Sequence, residues 1–355
     1  MTFGPNHYVP VLKVKRGEKA ALRSLAPELR ASITPLLEIV ERKPDKAATV
    51  TKHLDTAFKD LATSTAGFQR VFLDTREIAP DGPGASQEVF QRATSAGIRF
   101  VPVTGINRTA DLIAALANRS HGFALRVTRE EFETGAVSAG IQGFLSNHGL
   151  SSDQVDLIVD LGPVEDMVSD GVMSLTDMFL AALPDLTRWR TLTVSGCAFP
   201  MSMGVVDTNS AAVLERSEWV AWRNGLYANR EQIQRLPTFS DCGIQHPRGV
   251  EDFDPRIMAA SAAVRYAHVD EWLLIKGEST RKTPPSEQFP QLATQLVYGH
   301  LISYFDGVVH CAGCNSMRDA ADGAPSLGSP EAWRRLGTIH HLTTVVKGLA
   351  LLPWP

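Results

Sequence analysis

The chain has 355 residues, 44% of them hydrophobic and 21% charged, with a net charge of −4. This is ordinary globular usage, which excludes a largely disordered chain, and the slight acidity disfavours a general nucleic-acid binder, which would carry an excess or stripe of Lys and Arg. Four cysteines (Cys197, Cys242, Cys311, Cys314) are too few for a disulfide framework at this length, and neither a signal-type apolar segment nor a run near ~18 apolar residues is present, so the expectation is a cytoplasmic protein with no membrane span.

From Tyr8 to about Pro247 short β-rich runs alternate with helix-period segments, the pattern of parallel βαβ units. The runs are 8–15, 33–39, 70–76, 99–105, 122–128, 154–160, 191–196 and 237–243. Helices are expected over 17–29, 49–63, 86–96, 109–118, 135–147, 174–187 and 211–234, several closing at Gly or Asn-His-Gly. Eight such strands suit a (β/α)8 barrel of the TIM type. A doubly wound open sheet is the alternative, but no strand is followed by a G-x-G-x-x-G fingerprint.

After the eighth strand the pattern changes. Residues 262–278 alternate as a hairpin turning near His268, Val269 and Asp270, and 281–290 is a polar, proline-bearing connector. Helices at 288–305 and 329–350 follow, separated by a Gly-, Cys- and Asp-rich loop. The chain therefore divides into a barrel, 1–249, and a C-terminal hairpin-plus-helices extension, 250–355, packed on it because neither helix can bury its apolar face alone.

Polar groups of use in a barrel sit at the strand C-termini, since the interior below is filled by side chains. Lys13, Lys15, Glu38, Asp74, Arg76, Arg126, Asp160, Ser195 and Asp241 occupy those ends. Strand parity places Leu36 with Glu38, Phe72 with Asp74 and Arg76, Ala124 with Arg126, and Asp156 and Ile158 with Asp160 on common faces. Charges within apolar runs are costly to bury unless paired or used, so their convergence marks a site. Lys13, Glu38, Asp74, Asp160 and Asp241 are the candidate catalytic groups, and Lys15, Arg76, Arg126, Ser195, Lys276, His340 and His341 the candidate substrate-binding ones. The four carboxylates are oxygen donors suited to Mg2+, leaving Lys13 and Arg126 to clamp a phosphate. Alternatively the cations hold an anionic substrate while one carboxylate acts as base, or a first-strand lysine forms a Schiff base. The competing reading is a set of internal ion pairs, Glu38 with Lys13 and Asp74 with Arg126, without activity.

The HCAGC segment offers His310, Cys311 and Cys314, but a closed zinc site needs a second spaced ligand pair, and the adjacent His340 and His341 do not supply one. A small-residue loop containing two thiols is the simpler expectation. Adjacent helical positions diverge by about 100°, so at most one of His340 and His341 faces any given site. The six tryptophans are scattered and suit packing rather than base stacking.

Together YVPVLKVKRGEKAAL, PLLEI, FLDTRE, ALRV, LIVDLG, WLLIKG and WRRLGTIHHLTTVV resemble the "beta protein" family of bacteria and phages, over nearly the whole chain. The resemblance implies a barrel, a role in phage–host conflict, and Lys13, Lys15, Glu38, Asp160, Lys276 and His340 or His341 as the matching positions. It implies no particular reaction. Its pattern does not call for Cys311 and Cys314, which are a local departure.

Two functions follow as expectations. One is a barrel-mouth enzyme, a hydrolase or lyase, acting on an anionic or phosphorylated small molecule or a nucleotide. The other is a non-catalytic protein that recognises a ligand or phage component with the same mouth and meets a protein partner through 250–355. Carboxylates converging at metal-bridging distance would favour the first, and closed ion pairs the second.

Overall fold

The structure is a computed structural model that describes residues 2–82, 84–249, 260–324 and 327–354. The strands in chain order are β1 (Val11–Lys13), β2 (Leu36–Glu38), β3 (Val71–Asp74), β4 (Phe100–Thr104), β5 (Phe123–Thr128), β6 (Val155–Pro163), β7 (Thr191–Cys197), β8 (Ser210–Glu215), β9 (Thr238–Asp241), β10 (Ser261–His268) and β11 (Glu271–Ser279). Eight of them form one parallel sheet in the order β1-β2-β3-β4-β5-β6-β7-β9. Tyr8 bridges Phe239 across the remaining gap, and the Val9 amide donates to the Phe239 carbonyl at 3.1 Å, which brings the two edges into a nearly closed barrel. All eight expected strands are present.

Val11, Leu36, Phe72, Val101, Val103, Ala124 and Ile158 fill the barrel interior. The opposite faces of the same strands, Leu12, Leu37, Leu73, Leu125, Leu157 and Val194, join a larger core beneath the outer helices. This two-sided burial explains why the strands read as near-continuous apolar runs.

Residues 211–234, expected as a helix, do not form one. Ser210–Glu215 is the edge strand β8, and only Ser217–Val220 and a π-type turn, Ala221–Tyr227, are helical. The segment AAVLE has helical propensity, but β8 pairs antiparallel with β11, and tertiary pairing overrides local preference.

The hairpin β10–β11 forms as expected, His268 facing Glu271 across a turn in which Val269 takes φ 45°. With β8 it makes a three-stranded sheet, β10-β11-β8. Its Ala267, Trp272 and Leu274 face the barrel interior cluster, while Val264, Tyr266, Leu273 and Ile275 face Phe289, Leu292, Met317 and Trp333 of the following helices. The expected loop between the last two helices is itself a helix, Ala312–Ala321. The last helix, Pro330–Leu351, packs on Arg16–Ser24 and β10, and its Leu342, Val345, Val346 and Leu349 lie in the main barrel core. The boundary drawn at 249/250 falls at residues 250–259, outside the described ones.

Candidate functional site at the barrel mouth

Register brings the first strand ends together. Lys13 pairs with Glu38 and Glu38 with Asp74 along β1, β2 and β3, so the three side chains share one level and point inward above Val11, Leu36 and Phe72. Arg126 rises two residues above Ala124, and Asp160 two above Ile158, on the same inner face.

Arg126 is the hub. It holds Glu38 at 2.6 Å, Asp74 at 2.9 Å and Asp160 at 2.8 Å. Lys13 holds Glu38 at 2.8 Å and also meets Glu77, and Arg108 holds Asp74 at 2.7 Å and also meets Asp111. Burial alone would push the Glu38 and Asp74 carboxyls up, but Arg126 with Lys13, and Arg108 with Arg126, outweigh it and hold both below the usual carboxylate range. Burial works against the Arg126 charge as well, and its three carboxylates more than compensate. The mouth is thus a closed ion network, the paired arrangement weighed from sequence as the alternative to a metal centre. With each carboxylate already bonded to a cation, the oxygen set does not converge on a vacant Mg2+ position.

The other candidates separate. Asp241 ends β9 at the same rim, but with Phe239 it faces outward into the outer core, which corrects its assignment to the inner site. There it accepts from Tyr8 Oη at 2.5 Å and bonds His341 Nε2 at 2.8 Å. Burial would raise the Asp241 carboxyl, yet His341 holds it down, while burial lowers His341 itself. His341 also stacks on Trp272 with ring centroids 4.9 Å apart. Ser195 faces inward beside Asp160 and Ser240, and neither serine hydroxyl has a hydrogen-bond partner among the described residues. Arg76 is exposed past β3, where only its amide touches the network, donating to Asp74 at 2.9 Å. Lys276 is drawn off to the Val206 carbonyl at 2.7 Å, so the hairpin does not deliver it to the network. His340 points away from the mouth, its Nδ1 3.2 Å from the Cys314 sulfur.

At the rim beside β1, sequence reasoning found Lys13, Lys15 and Glu38 but missed Glu18, His246, Thr338, Arg265 and Arg334. A narrow crevice there, about 10 Å³ in volume, is lined by Lys13, Glu18, Glu38, His246 and Thr338. His246 lies 3.0 Å from Glu165, and burial lowers its pKa against the pull of that carboxylate. Lys15, exposed, and Arg334 are electrostatic neighbours of the buried Glu18, as is Arg265. Arg265 bonds only the Ile244 carbonyl, at 3.3 Å, and no carboxylate pairs with it among the described residues. Burial and Arg334 lower it to about 10. Of the missed residues, Glu18 lies on the helix Arg16–Ser24, His246 on the loop after β9, Arg265 on β10, and Arg334 and Thr338 on the last helix, so no single strand-end pattern announces them.

A nearly closed parallel barrel, with an ion network inside its C-terminal mouth and a C-terminal sheet-and-helix layer across it, defines the class of α/β barrel protein. Within that class the chain belongs to the Beta protein family, whose profile matches residues 8–347. No curated protein matches it. No helix among the described residues is long and apolar enough to cross a membrane.

Proposed function

We propose that the chain is a cytoplasmic recognition protein that captures an anionic group, a phosphate or a carboxylate, at the rim beside β1. The observation that carries this reading is Arg265, a guanidinium without a carboxylate bond among the described residues, set beside Arg334 and near Glu18 and Lys15. A bidentate anion would satisfy such a guanidinium, and the surrounding positive charge would attract it. The neighbouring crevice, lined by Lys13, Glu18, Glu38 and His246 and not by Arg265 or Arg334, is about 10 Å³ and holds little more than a water, so a ligand rests on the rim outside it. That suits an anionic group carried by a larger molecule, such as a nucleotide or a phage component, with its bulk resting on the extension. The Arg126 network supports binding over metal-assisted hydrolysis, because its carboxylates are committed to cations.

A catalytic version has one feature in its favour. His246, kept neutral by burial and set against Glu165, lines the same crevice as a general base would. Calorimetric titration with inorganic phosphate and pyrophosphate tests the first reading. Arg265→Met and Arg334→Met should each weaken binding about tenfold or more, the worth of a charged hydrogen bond. Affinity equal to the parent in both variants overturns it. Turnover of a phosphorylated substrate that His246→Gln abolishes, with phosphate binding retained, would establish the enzyme instead.

A further inference from the structure

The expectation that HCAGC is a plain small-residue loop fails for a specific reason. The helix Ala312–Ala321 starts on this segment, Cys311 is its N-cap, and the last helix brings His340 against both cysteines. The Cys311 and Cys314 sulfurs lie 3.5 Å apart, and His340 Nδ1 lies 3.9 Å from the first and 3.2 Å from the second. Bonds of about 2.3 Å to sulfur and about 2.0 Å to nitrogen in a tetrahedral shell require sulfurs about 3.8 Å apart and sulfur–nitrogen distances of about 3.5 Å. The three donor atoms already stand at that spacing.

We propose that Cys311, Cys314 and His340 form a zinc site, with the fourth position taken by water or an exogenous ligand. Three further features point the same way. His340 Nε2 lies 2.7 Å from the Ala267 carbonyl. A carbonyl can only accept, so Nε2 carries the proton and the Nδ1 lone pair is left facing the sulfurs, the second-sphere arrangement of a metal-bound histidine. The Cys314 amide donates to the Cys311 sulfur at 3.3 Å, which stabilises that sulfur as a thiolate. A Cβ on Gly313 would stand 2.6 Å from the Leu336 carbonyl, so only glycine lets the Cys-x-x-Cys turn reach the helix that carries His340. Asp306, His310 and His340 also cluster, but that set needs His340 Nε2, which Ala267 already engages.

Two thiolates and a neutral imidazole balance the charge of Zn2+, each thiol releasing its proton on binding. The ion would tie the Cys311 turn to the last helix, and through Ala267 to β10. The proposal does not depend on the anion rim, which uses other residues.

The full-length chain, produced in zinc-supplemented medium and desalted, is assayed for metal by elemental analysis and X-ray absorption. Zinc stoichiometric with protein is expected, with two sulfur scatterers at about 2.3 Å and a histidine nitrogen. Cys311→Ser and Cys314→Ser should lose the metal while keeping the helical circular dichroism. The absorption spectrum of the unsubstituted chain decides the matter even where the variants do not fold. A reduced chain that takes up no Zn2+, or a zinc shell without sulfur, overturns the proposal. A Cys311–Cys314 disulfide that persists under cytosolic glutathione without metal also overturns it and makes the pair a redox device.

Discussion

Arg126 concentrates the electrostatics of the mouth in one side chain. Arg126 is 3% exposed, and its guanidinium is bonded to three carboxylates. Removing one partner of a buried pair leaves uncompensated charge and costs about 3–5 kcal/mol, whereas the intact pair itself contributes little net. Arg126→Met should therefore lower stability by about that amount near neutral pH, measured by urea unfolding. Part of the loss should return under acid, as Glu38 and Asp74, no longer held down by Arg126, take up protons and cease to repel. A variant as stable as the parent would mean that the network is not closed in solution. Glu218 is the opposite case. Burial, and then Asp241, raise its carboxyl to about 8. Below the unfolded value near 4.3 both states hold the proton and nothing is lost. Between there and about 8 only the folded state keeps it, so stability falls as pH rises, by up to about 1.4 kcal/mol per unit. Glu218→Gln should flatten that slope, and denaturant midpoints from pH 5 to 8 that run parallel in the two proteins would refute it.

At the scale of elements, the last helix shows how docking can outweigh propensity. Gly337 sits in its interior, where alanine would normally favour the helix by about 1 kcal/mol. A Cβ there would meet the Arg265 carbonyl at 2.8 Å and Ile244 Cδ1 at 2.9 Å. Gly337→Ala should destabilise by about 1–3 kcal/mol through overpacking and loosen β10, read as faster amide exchange along that strand. Stabilisation instead would mean the helix does not press on β10. The barrel strands were legible because each is a short apolar run bounded by turns, and parity placed Glu38, Asp74, Arg126 and Asp160 on the inner face. Asp241 was misplaced because it falls on the odd parity of β9, where Phe239 marks the outer side. The strand β8 and the helix Ala312–Ala321 were illegible for a different reason. One takes its conformation from pairing with β11, and the other opens on a cysteine cap rather than on a periodic apolar face. The convergence of His340 with Cys311 and Cys314 spans two helices and left no spacing to read.

At the scale of the whole molecule, barrel and extension share a core. The last helix places Leu342, Val345, Val346 and Leu349 among the residues beneath the outer helices, and His341 bonds Asp241 at the end of β9. From the other side, the extension's sheet sets Trp272 and Leu274 against the barrel interior cluster. Burial of a large aliphatic side chain is worth roughly 1.5–3 kcal/mol, so the four helix residues alone approach the roughly 5–15 kcal/mol by which a domain is stable. A chain ending at residue 249 should therefore lack a cooperative unfolding transition, although it retains all eight barrel strands. Residues 250–355 supplied as a separate polypeptide should restore that transition by re-covering β9, β1 and the helix Arg16–Ser24. Near-UV circular dichroism against temperature, for the fragment alone and for the mixture, gives the comparison. A fragment that melts cooperatively by itself, at the temperature of the full chain, would show that the barrel's stability owes nothing to the extension, and that the shared core contributes no more than surface contact.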